Sequence, residues 1–270
     1  MYKISLNIKK EVSENYLSAF EFAKENGFFY IETGSVIDCM PLHLIEGDEL
    51  EEIRCSLIDF MLRIEVMSLP SNALSFDELK KFIRNAHLLN VKNILIPASF
   101  VPADKLESSP KISYIRQISK AARLFGIGVI FENCSKSALS CDSEMNELSL
   151  LLNDENVSFS YDPFEFVKEK HHPFFHMFYG SKLKNKISVL RINDGLYRGV
   201  PTRLCKGNGE IKELVSILLS RSFDGIFSID PYMDDFEKEY KETRGVVKPE
   251  SPYKHPWDIL ADLKEIFKSI

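Results

Sequence analysis

The sequence predicts an α/β fold, a single-domain (β/α)8 TIM barrel, and three observations carry that prediction. Eight short runs rich in Ile, Val and Phe recur along 270 residues. Segments with helical spacing separate them. The first run leads into "NIKKEVSENY", which has no glycine, whereas a doubly wound open sheet more often carries a Gly-rich phosphate loop there.

The runs are "YKISLNI", "FFYIETG", "RIEVMSLP", "KNILIPAS", "GVIFEN", "VSFSYDP", "ISVLRIND" and "GIFSIDP", starting near residues 3, 28, 63, 92, 128, 157, 187 and 225. Each reads as a strand of about 5 to 7 residues. After the first, "NYLSAFEFAKENG" reads as a helix ending at Gly27, a residue that tolerates the positive φ of a helix C-terminus. After the third, "FDELKKFIRNAHLLN" places Leu79, Phe82, Ile83, Ala86 and Leu89 on one helical face. After the fourth, "SYIRQISKAARLFG" ends at Gly126 in the same way. Residues 231 to 256 form a long irregular insertion after strand eight, on the face where barrel enzymes keep their lids. A solvated charged loop is the ordinary alternative for it. The helix "WDILADLKEIFKSI" closes the series, and no domain-scale linker divides residues 1–270. Barrels of this kind routinely run to this length as one unit.

Composition limits the functions this fold can serve. With 44% hydrophobic and 27% charged residues the chain has ample material for a core. A net charge of −6 and a pI near 5.6 repel a phosphate backbone, so nucleic acid is not an expected partner. The five cysteines include no C-x-x-C pair, which suggests reduced thiols rather than a disulfide framework or a thiolate zinc site. The sequence has no signal-peptide run and no apolar stretch long enough to span a bilayer, so a cytoplasmic protein without a membrane partner is expected. An oligomer stays open.

In such a barrel the loops after the strands build the active site. Here the strand ends are acidic: Glu32, Glu132, Asp162, Asp194 and Asp230 follow strands two, five, six, seven and eight. Carboxylates converging on one mouth repel one another unless a metal or an arginine sits among them. Some could instead point outward as helix N-caps. The stretch "SVLRINDGLYRG" supplies an arginine, Arg191, whose parity on strand seven faces the site. His171, His172 and His176 share one aromatic-rich segment and show no metal-ligand pairing with a carboxylate at helical spacing, so they read as packing residues, with a metal-ligand role from this loop the alternative.

"VIFEN", "YDPFEF", "LRIND" and "KGNGEIKELVSILLSRSFDGIFSID" together resemble the xylose isomerase-like TIM barrels, the sugar phosphate isomerase/epimerase superfamily. The resemblance covers most of the chain. It implies a divalent metal (Mn, Mg or Zn) held by the strand-five Glu, strand-six Asp, strand-seven His and strand-eight Glu, with carboxylates moving protons on a small substrate. Glu132 and Asp162 match that ligand set, and Asp230 is a shorter acid in place of Glu. Arg191 stands where the His belongs, and Asp194 keeps the acid of the strand-seven pattern. Arginine has no lone pair for a metal and stays charged, so it would replace the cation rather than bind it.

The expected function is therefore isomerase, epimerase or dehydratase chemistry on a small polyhydroxylated ketose, inosose or keto acid in carbohydrate metabolism. Glu132, Asp230, Arg191 and Glu165 are the expected catalytic residues. Glu32, Asp194, Arg198, Arg203 and Lys206 are expected to bind substrate, and Glu132, Asp162 and Asp230 to bind a metal if one is present. The alternative is a small-molecule-binding or regulatory barrel that has lost the metal chemistry. A nuclease of the endonuclease IV type would need several zinc ions, which six histidines and an acidic pI do not favour.

Overall fold

Eight parallel strands close on themselves in the computed structural model, which describes residues 2–101, 109–230 and 252–270. They are β1 (Lys3–Asn7), β2 (Tyr30–Thr33), β3 (Arg63–Ser68), β4 (Asn93–Ile96), β5 (Gly128–Glu132), β6 (Val157–Tyr161), β7 (Ile187–Arg191) and β8 (Ile226–Ile229). The last strand pairs with the first, from Lys3↔Ile226 to Leu6↔Ile229, which removes both sheet edges.

Around this ring lie α1 (Lys9–Glu14), α2 (Tyr16–Glu25), α3 (Gly47–Asp59), α4 (Phe76–Leu88), α5 (Pro110–Leu124), α6 (Asp142–Leu152), α7 (Pro163–Lys168), α8 (Ile211–Ser220) and α9 (Pro256–Ser269). Local chemistry fixes their ends. Asn15 breaks α1 from α2 and accepts from the Ser18 amide at 2.9 Å. Ser75 and Glu78 form a reciprocal capping box at the start of α4. Gly27 and Gly126 adopt the expected positive φ, +77° and +67°. The predicted face of α4 is the one that packs inward, with Leu79, Phe82, Ile83 and Ala86 fully buried.

The core has two parts. One fills the space between the barrel and its helices. The other, formed by Val66, Leu95, Ile130, Val189 and Ile226, is separate and plugs the barrel interior. Along β5, β7 and β8 the inward parity of Ile130, Val189 and Ile226 continues two residues later in Glu132, Arg191 and Ser228. The apolar plug is therefore the floor of a polar layer at the strand C-terminal ends.

The segment 231–256, expected as a lid, lies outside the described residues as far as residue 251. Among the described residues no helix is long and apolar enough to cross a membrane, and none of the five cysteines forms a disulfide.

Candidate functional site

Strand register brings the polar layer together. Ser228 lies opposite both Arg191 and Ser5, Asn7 lies opposite Glu32, and Glu132 lies opposite Ser160. Arg191, 3% exposed, forms the hub. Its Nη1 donates to Glu32 Oε2 and to Ser228 Oγ, each at 2.5 Å, and its Nε donates to Glu132 Oε1. Among the described residues Nη2 has no hydrogen-bonding partner. The arginine within the strand is thus an internal counter-ion that joins the acids of β2 and β5 across the barrel.

Each neighbour is placed by a further bond. Ser5 Oγ donates to Glu32 Oε1 at 2.9 Å, Ser160 Oγ to Glu132 Oε1 at 3.0 Å, and Asn7 Nδ2 to Asp230 Oδ2 at 2.8 Å. Glu32 is 0% exposed, and burial alone would raise its pKa; the charges of Arg191 and Lys9 outweigh that and hold the carboxyl below its ordinary value. For Arg191 burial opposes the charge, yet Glu132, Glu32 and Asp230 lift the guanidinium well above its ordinary value. The guanidinium is therefore a permanent cation. Glu132 keeps 27% of its side chain exposed. Its Oε2 has no hydrogen-bonding partner among the described residues.

The other expected site residues make different contacts. Glu32, expected to bind substrate, is itself part of the hub, fully buried as a partner of Arg191. Asp162, expected as a metal ligand, caps α7 instead: its Oδ1 accepts from the Phe164 and Glu165 amides at 2.9 and 3.4 Å, and its Oδ2 accepts from Asn193 at 3.0 Å. Burial, with Glu165 and Glu132 nearby, pushes the Asp162 carboxyl up to about 7. Glu165, expected as an acid or base, accepts from the Ser135 amide at 2.8 Å and from Lys168 at 2.6 Å.

Asp194, expected to bind substrate, spends its oxygens on the Gly195, Gly207 and Gly209 amides at 2.8, 3.0 and 2.8 Å, and so folds the loop after β7. A Cβ at position 207 would fall 2.3 Å from Asp194 Oδ1, which is why that turn needs glycine. Arg203 is turned to α9, where it pairs with Asp262 at 2.9 Å and covers the Tyr253 ring. Arg198 and Lys206 are exposed and form no ion pair among the described residues.

A divalent metal at Glu132, Asp162 and Asp230 needs free carboxylate oxygens aimed at one point. Asp162 has both oxygens committed, and Arg191 brings its own positive charge to Glu132. These residues do not fit a metal ion. Consistent with that, no group of three or more His, Cys, Asp or Glu side chains comes together to hold one among the described residues. Thiol chemistry has no support either, because burial and the nearby Glu165 and Glu132 push the Cys134 thiol up to about 11.

Sequence reasoning missed Ser5, Asn7, Ser160 and Ser228, which line the hub, and Lys9, whose charge reaches Glu32. The serines and Asn7 did carry a signal: each is a polar residue on the inward register of an otherwise apolar strand.

The family model described as xylose isomerase-like TIM barrel matches residues 20–250. No curated protein matches the chain. Among solved structures, a xylose isomerase-like TIM barrel protein from Mycobacterium smegmatis in complex with magnesium superimposes with a TM-score of 0.71 at 13% identity, covering 99% of this chain and 96% of that one. D-psicose 3-epimerase from Clostridium cellulolyticum H10 with D-tagatose gives 0.67 at 13% identity, covering 97% and 98%. The 3-keto-D-glucoside 4-epimerase from E. coli gives 0.66 at 14% identity, covering 98% and 100%. At these identities the likeness shows the fold.

Proposed function

This chain belongs to the xylose isomerase-like TIM barrel family, and from that premise we propose that it is an isomerase or epimerase of a small polyhydroxylated ketose, inosose or keto acid. The observation that carries the reading is Arg191, held at the barrel mouth between Glu32 and Glu132 with one nitrogen uncommitted.

Glu132 Oε2 takes the proton from the carbon next to the substrate carbonyl, and the electrons of the broken C–H bond move onto the carbonyl oxygen. That oxygen, now an enediolate, accepts a hydrogen bond from Arg191 Nη2, a fixed donor that needs no reorganisation as charge develops. For epimerisation Asp230, positioned by Asn7 and entering protonated, gives its proton to the opposite face of the carbon and is left ionised while Glu132 keeps the proton it took. For isomerisation Glu132 returns its proton to the former carbonyl carbon while the hydroxyl proton of the neighbouring carbon passes to the former carbonyl oxygen. Glu32 moves no proton. It keeps Arg191 in place and its charge paired.

The test is incubation in D2O with a panel of ketoses, inososes and keto acids, with and without added Mn, Mg, Zn and Co, followed by proton NMR. Washout of a carbon-bound proton beside a carbonyl is the expected result. A panel left inert under all conditions overturns the reading. A second reading, a barrel that binds such a ligand without converting it, is favoured by the commitment of Arg191 to two carboxylates. Saturable binding without exchange decides for it.

A further inference from the structure

We propose that the groove between α3 and α4 is a second binding site, for a small hydroxylated anion. It lies on the flank of the barrel, apart from the Arg191 hub, and encloses about 420 Å³. Its lining includes His43, Arg54, Lys81, Arg84, Asn85 and Leu88. In a chain of net charge −6 this is a local concentration of cations. Two of them are partly neutralised, Arg54 by Glu51 at 2.5 Å and Lys81 by Glu46 at 3.4 Å, both glutamates also lying in the lining. Arg84 forms no ion pair among the described residues and gives the groove its surplus positive charge.

Two buried polar side chains in the wall have unfilled hydrogen-bonding capacity. Asn85, 6% exposed, donates from Nδ2 to the Leu42 and Ile45 carbonyls, both at 2.8 Å. Its Oδ1 has no partner among the described residues, so it is an acceptor awaiting a donor such as a hydroxyl. His43 is 9% exposed and its Nδ1 is buried without a partner. Buried polar atoms are ordinarily satisfied, so the shortfall at His43 Nδ1, beside the open acceptor Asn85 Oδ1 in the same wall, points to a ligand. Its chemistry follows from the lining: an anionic head for Arg84, flanked by Arg54 and Lys81, and a hydroxyl for Asn85 Oδ1. A phosphate ester and a hydroxy acid share that chemistry. The site also touches the loop that Asn85 fastens, which runs on from β2 and Glu32, so an occupant would brace the segment between the hub and α3.

The experiment is calorimetric titration of the full chain with glycerol 3-phosphate, with glycerate and with neutral glycerol. It is repeated on Arg84→Glu and Leu88→Trp, two exposed positions outside the hub, the second chosen to fill the groove. Binding of either anion but not glycerol is expected, weakened about ten-fold or more by Arg84→Glu, the size of one charge-assisted hydrogen bond. Leu88→Trp is expected to weaken it too, with both variants melting as the wild type does. Binding of the phosphate ester alone, the hydroxy acid alone or both identifies the source and supports the site. No binding of either anion at millimolar concentration overturns the proposal, as does binding that both variants leave unchanged.

Discussion

Replacing Arg191 with Met keeps a side chain of similar length and removes the charge that pairs Glu32. In the wild type Glu32 is 0% exposed, and its partners are Arg191 at 2.5 Å and Ser5 at 2.9 Å. After the substitution the serines and the more distant charge of Lys9 remain, and the buried carboxylate has lost its ion-pair partner. Breaking a buried pair in this way costs about 3–5 kcal/mol. At roughly 2–4 °C per kcal/mol for a domain of this size, the melting temperature falls by about 6–20 °C.

The loss also depends on pH, with a sign fixed by linkage. In the wild type the folded-state pKa of Glu32 is lowered, so its contribution is present above the unfolded pKa and is lost as pH falls through the folded one. In Arg191→Met burial prevails and the folded pKa rises, so stability is present below the unfolded pKa and is lost as pH rises. The variant is therefore expected to lie nearest the wild type near pH 5 and furthest from it near pH 8, in melts followed by circular dichroism. Adding Glu32→Gln, which keeps an acceptor for Ser5, should recover most of the loss. A single variant that melts within about 2 °C of wild type at pH 8, a small fraction of the cost of a broken buried pair, would falsify the counter-ion assignment. So would a double variant no more stable than the single one.

Three further outcomes follow from the same geometry. Asp162 has its folded pKa raised from the ordinary 3.8 of an aspartate to about 7, so its contribution to stability is lost as pH rises between those values; Asp162→Asn should flatten that decline in melts at stepped pH, and an unchanged slope counts against the raised value. Asp194→Ala frees the Gly195, Gly207 and Gly209 amides, so hydrogen exchange at those three positions should accelerate and stability should fall by about 2–4 kcal/mol; unchanged protection would deny Asp194 its role in folding the loop. Glu132→Gln should slow deuterium washout from any substrate found by roughly a hundred- to ten-thousand-fold while substrate still binds, and a smaller change removes Glu132 as the base.

The barrel was legible because its strands and helices follow different periods, and strand starts expected near residues 3, 63, 128, 157 and 187 are where strands begin. Inward parity made Arg191 legible too, since the apolar residues two positions before Glu132 and Arg191 mark the barrel interior. What the pattern did not separate was acids facing the centre from acids serving the backbone. Asp162, Asp194 and Glu32 all lie at or just past strand C-terminal ends, but only the positions of the Phe164, Gly207 and Gly209 amides and of Arg191 tell a cap, a loop anchor and a buried ion-pair partner apart. The pairing of Arg203 was hidden for a similar reason. Its partner, Asp262, is distant in sequence, on α9.

The most direct test of the account is the metal content of the purified protein by elemental mass spectrometry, paired with thermal melts in added Mn, Mg, Zn and Co. If Arg191 is the built-in cation of the site, metal is substoichiometric and none of the four ions raises the melting temperature. Near-stoichiometric metal with a raised melting temperature would contradict it, because Glu132 and Asp230 would then be holding an ion where the guanidinium is placed.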